Sequence, residues 1–245
     1  MFNVEDRDRA RARLLELADA DERMVAAAVV GAEARGEVDR WSDLDLTFAI
    51  ADSATIEEVV GDWSERLASE LDAIELFDLW VGPTVYRVFL LPGCLQVDLS
   101  FTPAPEFGPR GPHFKLLFGA VGEGAGGRGG EPKLPTSERG LVGMAAHHAV
   151  RARFAIERER LWLAEYWIGA SRDHFLEAAC RRTRIGSLLR PRLRPTAARA
   201  PRQPRADAGR RARPGSADQG SRRPRRGDPG RRLRRASIRA PDATP

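Results

Sequence analysis

The stretch that most constrains this chain is the segment from Val29 to Ile50, VVGAEARGEVDRWSDLDLTFAI. Its last seven residues, LDLTFAI, alternate apolar and polar side chains as a half-buried strand does. Side chains at i and i+2 of a strand share a face. Asp43 and Asp45 are therefore expected to point together, with Leu44 and Leu46 turned the other way into a core. Two carboxylates held side by side repel each other unless a cation lies between them. Their oxygen donors suit Mg²⁺, which keeps several waters and takes phosphate oxygens as further ligands. About ten residues upstream, Gly31-Ala32 closes an apolar run and reads as a glycine turn.

A third acid, Asp98, lies in CLQVDLSF between the apolar Val97 and Leu99, so it faces away from them. A strand at this position lying beside residues 44–50 would bring three carboxylates together. Such a set holds two ions about 3.5–4 Å apart, the arrangement for in-line displacement at phosphorus. Asp98 would serve as an ion ligand or as the acceptor of a proton from the attacking group.

The surrounding pattern predicts an α+β fold, a small mixed β-sheet with flanking helices, over residues 1–102. Residues 5–24 read as helix. MVAAAVVG reads as helix at its start and as a buried strand at its end. Residues 55–72 form an amphipathic helix capped by Ser53 or Thr55, with Glu57 and Glu58 in its first turn. AIELFDLW is a strand, and VYRVFLLPG with CLQVDLSF forms a hairpin turning at Pro92-Gly93. Residues 103–140 are rich in proline and glycine and read as a linker or mobile loop. Their GEGAGGRGG stretch lacks the strand, the helix and the Gly-Lys-Ser/Thr ending of a phosphate loop. Residues 141–182 contain no proline and predict a helical domain, one long or two consecutive helices, with a break at Gly169-Ala170-Ser171.

Residues 183–245 change character. Arg, Pro, Ala and Gly dominate, and there is too little apolar surface to offset the entropy of ordering. From Arg181 onward the chain has 21 Arg and four Asp with no Lys or Glu, about +17. The overall charge is +5, so the preceding residues carry about −12. An acidic folded part is not a general nucleic-acid binder. The tail reads as a disordered arm that neutralises phosphates, a solvated extension, or the product of a shifted reading frame. Cys94 and Cys180 lack any metal or redox spacing. The charged N-terminus lacks the apolar centre of a signal peptide, and no run approaches the ~18 apolar residues of a spanning helix. A soluble, cytoplasmic protein is expected.

Val30-Gly31-Ala32, then Ser42-Asp43-Leu44-Asp45, then Asp98 resembles the motif set of the nucleotidyltransferase superfamily, the polymerase-beta-like fold. The resemblance covers residues from about 25 to 102. The helical region 141–182 is similar to the C-terminal helical domain of aminoglycoside-type adenylyltransferases, and the group most alike is bacterial proteins of unassigned substrate. The resemblance implies transfer of a nucleoside monophosphate from a nucleoside triphosphate, ATP first among them, to a hydroxylated acceptor with Mg²⁺ as cofactor. Asp43, Asp45 and Asp98 would be the catalytic and metal-binding residues, and Gly31, Ala32 and Ser42 would contact the nucleotide. The family's Gly-Ser has become Gly31-Ala32, which removes a hydroxyl from the phosphate site. Nucleotidylation of protein or RNA is an enzymatic alternative. An antitoxin-like module with weakened catalysis is an alternative of another class.

Other residues carry weaker signals. Arg40 either lies in an exposed loop with Asp39 or approaches a phosphate. Ser42 shapes the turn or reaches a phosphate. His147-His148 would diverge by about 100° on a helix and make a poor ligand pair. His174 reads as structural. Glu165, between Trp162 and Trp167, either meets an acceptor or pairs with Arg158 or Arg172, while the tryptophans read as packing residues.

Overall fold

A capping box opens the first helix, α1 (Val4–Asp19): Asn3 and Asp6 each accept the other's backbone N–H through their side chains. The computed structural model describes residues 1–125 and 130–183. After α1 come β1 (Met24–Val30), the short helix α2 (Gly31–Arg35), β2 (Leu44–Ile50), α3 (Ile56–Leu71), β3 (Ile74–Val81), β4 (Thr84–Leu91), β5 (Leu95–Pro103), β6 (Phe114–Phe118), α4 (Glu138–Glu157) and α5 (Leu161–Arg182). The architecture is mixed α+β, one six-stranded sheet with flanking helices.

The strand order is β3-β4-β5-β2-β1-β6. β2 and β5 run parallel, and the other neighbours are antiparallel. The β4–β5 hairpin turns at Pro92-Gly93 as its sequence predicts. One sheet face is apolar. Leu44, Leu46, Phe48, Ile50, Val97, Leu99 and Phe101 are fully buried there, in one core with Leu14 and Leu17 of α1 and Trp63 and Leu67 of α3. Burying each such side chain contributes roughly 1.5–3 kcal/mol. Thr55 caps α3 and closes a capping box with Glu58. Among the described residues no helix is long and apolar enough to cross a membrane.

Several elements differ from their sequence reading. MVAAAVV is strand throughout, although alanine favours helix. Its Ala26 and Ala28 pack in one cluster with Phe107 and Phe114. Within 103–140, Phe114–Phe118 adds a sixth strand beside β1, so this stretch does more than connect. The helical region does consist of two helices, but the break falls at Arg158-Glu159-Arg160, where Glu159 takes φ +56°, and Gly169 lies inside α5. α4 and α5 pack together, and α4 also lies against β3. Trp63 is core, but Trp162 is 89% exposed, which corrects its reading as a packing residue. The tail beyond Thr183 and part of GEGAGGRGG lie outside the described residues.

Candidate metal site

The parallel pair β2–β5 sets Asp45 directly opposite Asp98, with Asp43 one residue before β2 begins. One carboxylate oxygen from each of the three lies within 4.8 Å of the others. Strand alternation brings this about. Leu44 and Leu46 on β2, with Val97 and Leu99 on β5, are anchored in the apolar core, so the aspartates between them are turned to the opposite face. Gly31 completes the cradle. Its φ is +64°, and a Cβ at this position would overlap the Asp45 carboxylate. The glycine read from the sequence as a turn is therefore required by backbone conformation and by the nearness of an acid.

The three charges oppose one another. Burial raises the Asp45 pKa well above the usual carboxylate range, and the neighbouring Asp43 and Asp98 charges raise it further. Asp98 is pushed up to about 7, by burial first and by Asp43 second. Partial relief comes from Arg151, whose Nη2 lies 3.2 Å from Asp43 Oδ2, and from Gln96, whose Nε2 donates to Asp98 Oδ1 at 3.1 Å. Gln96 is 1% exposed, and its Oε1 has no hydrogen-bond partner. A buried amide with an unspent acceptor beside three crowded carboxylates is an environment short of positive charge. Hard oxygen donors in this number fit Mg²⁺.

The sheet face that carries the acids is flanked on both sides. Phe77 and Val88 share that face with Asp98 and pack against Met144 of α4. Toward β6, Phe107 and Phe114 cover Ala26, Ala28 and Ala49. A cavity of about 280 Å³ lies next to the acids, bordered by Gly31, Arg35, Thr47, Tyr86, Ser100 and Arg110. Thr47 and Ser100 lie two residues beyond Asp45 and Asp98 on the same strands, so the floor passes from carboxylates to hydroxyls.

The remaining candidates fall into place around this centre. Ala32 follows Gly31 in α2 and is half-buried. Ser42 is buried, its hydroxyl donating to Asp39 Oδ1 and accepting from the Asp39 N–H, both at 2.9 Å, so it closes the turn before Asp43. Of the two roles its sequence suggests, this is the turn-shaping one. Asp39 is not a free loop acid. Arg158 holds it by two hydrogen bonds of 2.6 and 2.7 Å and lowers its pKa to about 2. Arg40 lies over the Trp41 ring at 4.1 Å. His147 meets the edge of Phe77, and burial lowers its pKa to about 2. His148 stacks between Trp167 and His174. Among the described residues the three aspartates are the one group that converges as a metal-binding set, and the histidine rings pack against Phe77, Trp167 and one another. Glu165 is exposed, and the partners suggested for it are taken, Arg158 by Asp39 and Arg172 by Asp173.

Sequence reasoning missed Arg151. It stands 108 positions from Asp43 and lies among other arginines of an ordinary helix, so no local pattern marks it. No protein-family model matches the chain, and no curated protein matches it.

Proposed function

We propose that this chain has a nucleotidyltransferase fold and moves a nucleoside monophosphate from a nucleoside triphosphate to a hydroxyl acceptor with Mg²⁺. The observation that carries the reading is Asp45 opposite Asp98 on parallel strands, with Asp43 beside them. Asp43 and Asp45 would hold one ion, and Asp98 would complete the site for a second. Bound Mg²⁺ supplies acidification of the attacking hydroxyl and neutralisation of phosphate charge.

The chain's own residues carry the rest. The acceptor oxygen forms a bond to the α-phosphorus while the bond to the α–β bridging oxygen breaks, and pyrophosphate leaves with that electron pair. The acceptor's proton passes to the Asp98 carboxylate. Gly31 keeps the turn clear of Asp45, and the Gly31-Ala32 backbone would lie along the phosphates. The adjoining cavity, with its hydroxyl floor and the cationic Arg35 and Arg110, has the polarity that a nucleotide's phosphates and sugar require. ATP as the donor follows from the family resemblance. Ala32 in place of serine favours slow turnover, and it keeps open a second reading as a nucleotide-binding module without turnover. A screen with labelled ATP, GTP, CTP and UTP against candidate acceptors separates the two.

Calorimetry with a non-hydrolysable ATP analogue and Mg²⁺ tests the site. Binding that requires Mg²⁺ is expected in the unaltered chain, with a loss of at least about 100-fold in Asp43→Ala/Asp45→Ala, given the strength of charge-assisted ligation. Metal-dependent binding that survives the double substitution would sink the reading.

A further inference from the structure

Arg151 reaches the acidic centre from α4 with most of its hydrogen-bonding capacity unspent. Its contact with Asp43 Oδ2, at 3.2 Å, is the single hydrogen bond its guanidinium makes among the described residues. Its Nε is buried and has no partner. The guanidinium carbon sits 5.3 Å from the centre of the Trp167 ring, so the indole supports the group by its face and leaves the N–H edges unused. Arginine carries five N–H donors in a planar fork that matches phosphate oxygens. A buried donor without a partner is costly and calls for an explanation.

We infer that Arg151 is a phosphate-binding residue, and this rests on the nucleotidyl-transfer reading above. The guanidinium and a cation held by Asp43 would bear on the same carboxylate. Ligation of the cation by Asp43 therefore turns the fork outward, and it takes the non-bridging oxygens of the nucleoside triphosphate. The triphosphate then lies between the cation on the carboxylates and the guanidinium on α4. The competing role is that of a strut, in which Arg151 merely ties α4 to the loop before β2 and holds Asp43 in position. The two roles predict opposite behaviour of the metal alone. A strut orients a ligand, so its loss weakens metal binding. A phosphate-binding arginine competes with the metal, so its loss leaves metal binding equal or tighter.

The experiment uses the full chain, Arg151→Gln and Arg151→Lys. Mn²⁺ alone is titrated by electron paramagnetic resonance. A non-hydrolysable ATP analogue is then titrated by calorimetry at saturating Mg²⁺. Arg151→Gln is expected to bind Mn²⁺ at least as tightly as the unaltered chain and the analogue about tenfold to a hundredfold more weakly, the range for one charged hydrogen-bonding group. Arg151→Lys should recover part of that loss, because it keeps the charge without the fork. Analogue affinity unchanged in Arg151→Gln overturns the inference. So does a parallel loss of Mn²⁺ and analogue binding, which identifies a strut. An unaltered chain that binds Mn²⁺ but no analogue overturns the nucleotidyl-transfer reading, and this inference with it. Thermal melts of both variants accompany the titrations, and loss of the cooperative transition in Arg151→Gln transfers the comparison to Arg151→Lys.

Discussion

The two faces of β2 and β5 are made from alternate residues of the same strands, and they differ in what they contribute. On one face Phe48 and Phe101 lie against Trp63 with ring centres 5.1 and 5.8 Å away, in a core from which water is excluded. On the other, Asp45 and Asp98 sit side by side with pKa values driven upward by burial and mutual repulsion. The apolar face supplies stability, and the acidic face opposes it. A strand pair of this kind tolerates an unfavourable cluster because its other face is packed well enough to hold the register. Strongly perturbed carboxylates in such a setting are a recognised mark of functional sites.

Weakening the packed face should give the largest effect. Leu46→Ala deletes a fully buried side chain directly behind the acids and should cost about 2–5 kcal/mol, read by urea denaturation. A cost under about 1 kcal/mol would show that the apolar face does not hold the register. Altering the cradle should cost less in stability and more in ligation. Gly31→Ala forces a side chain into a left-handed conformation, at about 1–2 kcal/mol, and drives its methyl into the Asp45 carboxylate. Mn²⁺ affinity should fall by more than the stability loss explains, and an unchanged affinity would separate Gly31 from the site.

The third effect has the opposite sign. Asp98 binds its proton more tightly in the folded state, so its contribution to stability declines as pH rises from about 4 toward about 7 and is level above that. His147 slopes the other way. Burial keeps it neutral, and the unfolded chain takes up the proton as pH falls through about 6.5. The Asp98 contribution is therefore read as a difference. Without divalent cation, Asp98→Asn should melt higher than the unaltered chain at pH 8, and the gap should close toward pH 4. A gap independent of pH would mean that the Asp98 charge is not the destabilising element.

Much of this was legible in the sequence because alternation and capping are local. LDLTFAI and CLQVDLSF show their faces residue by residue, and the Thr55–Glu58 capping box lies within four positions. The sequence made the convergence of the third acid conditional on Asp98's strand lying beside residues 44–50, and that pairing is present. The rest depended on distant partners. FKLLF sits in a Pro/Gly-rich stretch and becomes a strand because β1 offers it an edge. No glycine or proline breaks the helix at Glu159, and Asp39 is there to anchor Arg158 where the chain turns. Arg151 has meaning only once α4 is placed near Asp43.

The parallel pairing of β2 and β5 also bears on how the molecule is assembled. Parallel neighbours cannot be joined by a tight turn, and here α3 and the β3–β4 hairpin intervene between them. Asp45 and Asp98 are about fifty residues apart along the chain, so the loop that unites them closes at a high entropic cost and contributes to slow folding. During synthesis, Asp43 and Asp45 leave the ribosome well before their third partner does. The acidic centre can form only after β5 has been made and inserted between β4 and β2, which ties the competence of the site to completion of the sheet.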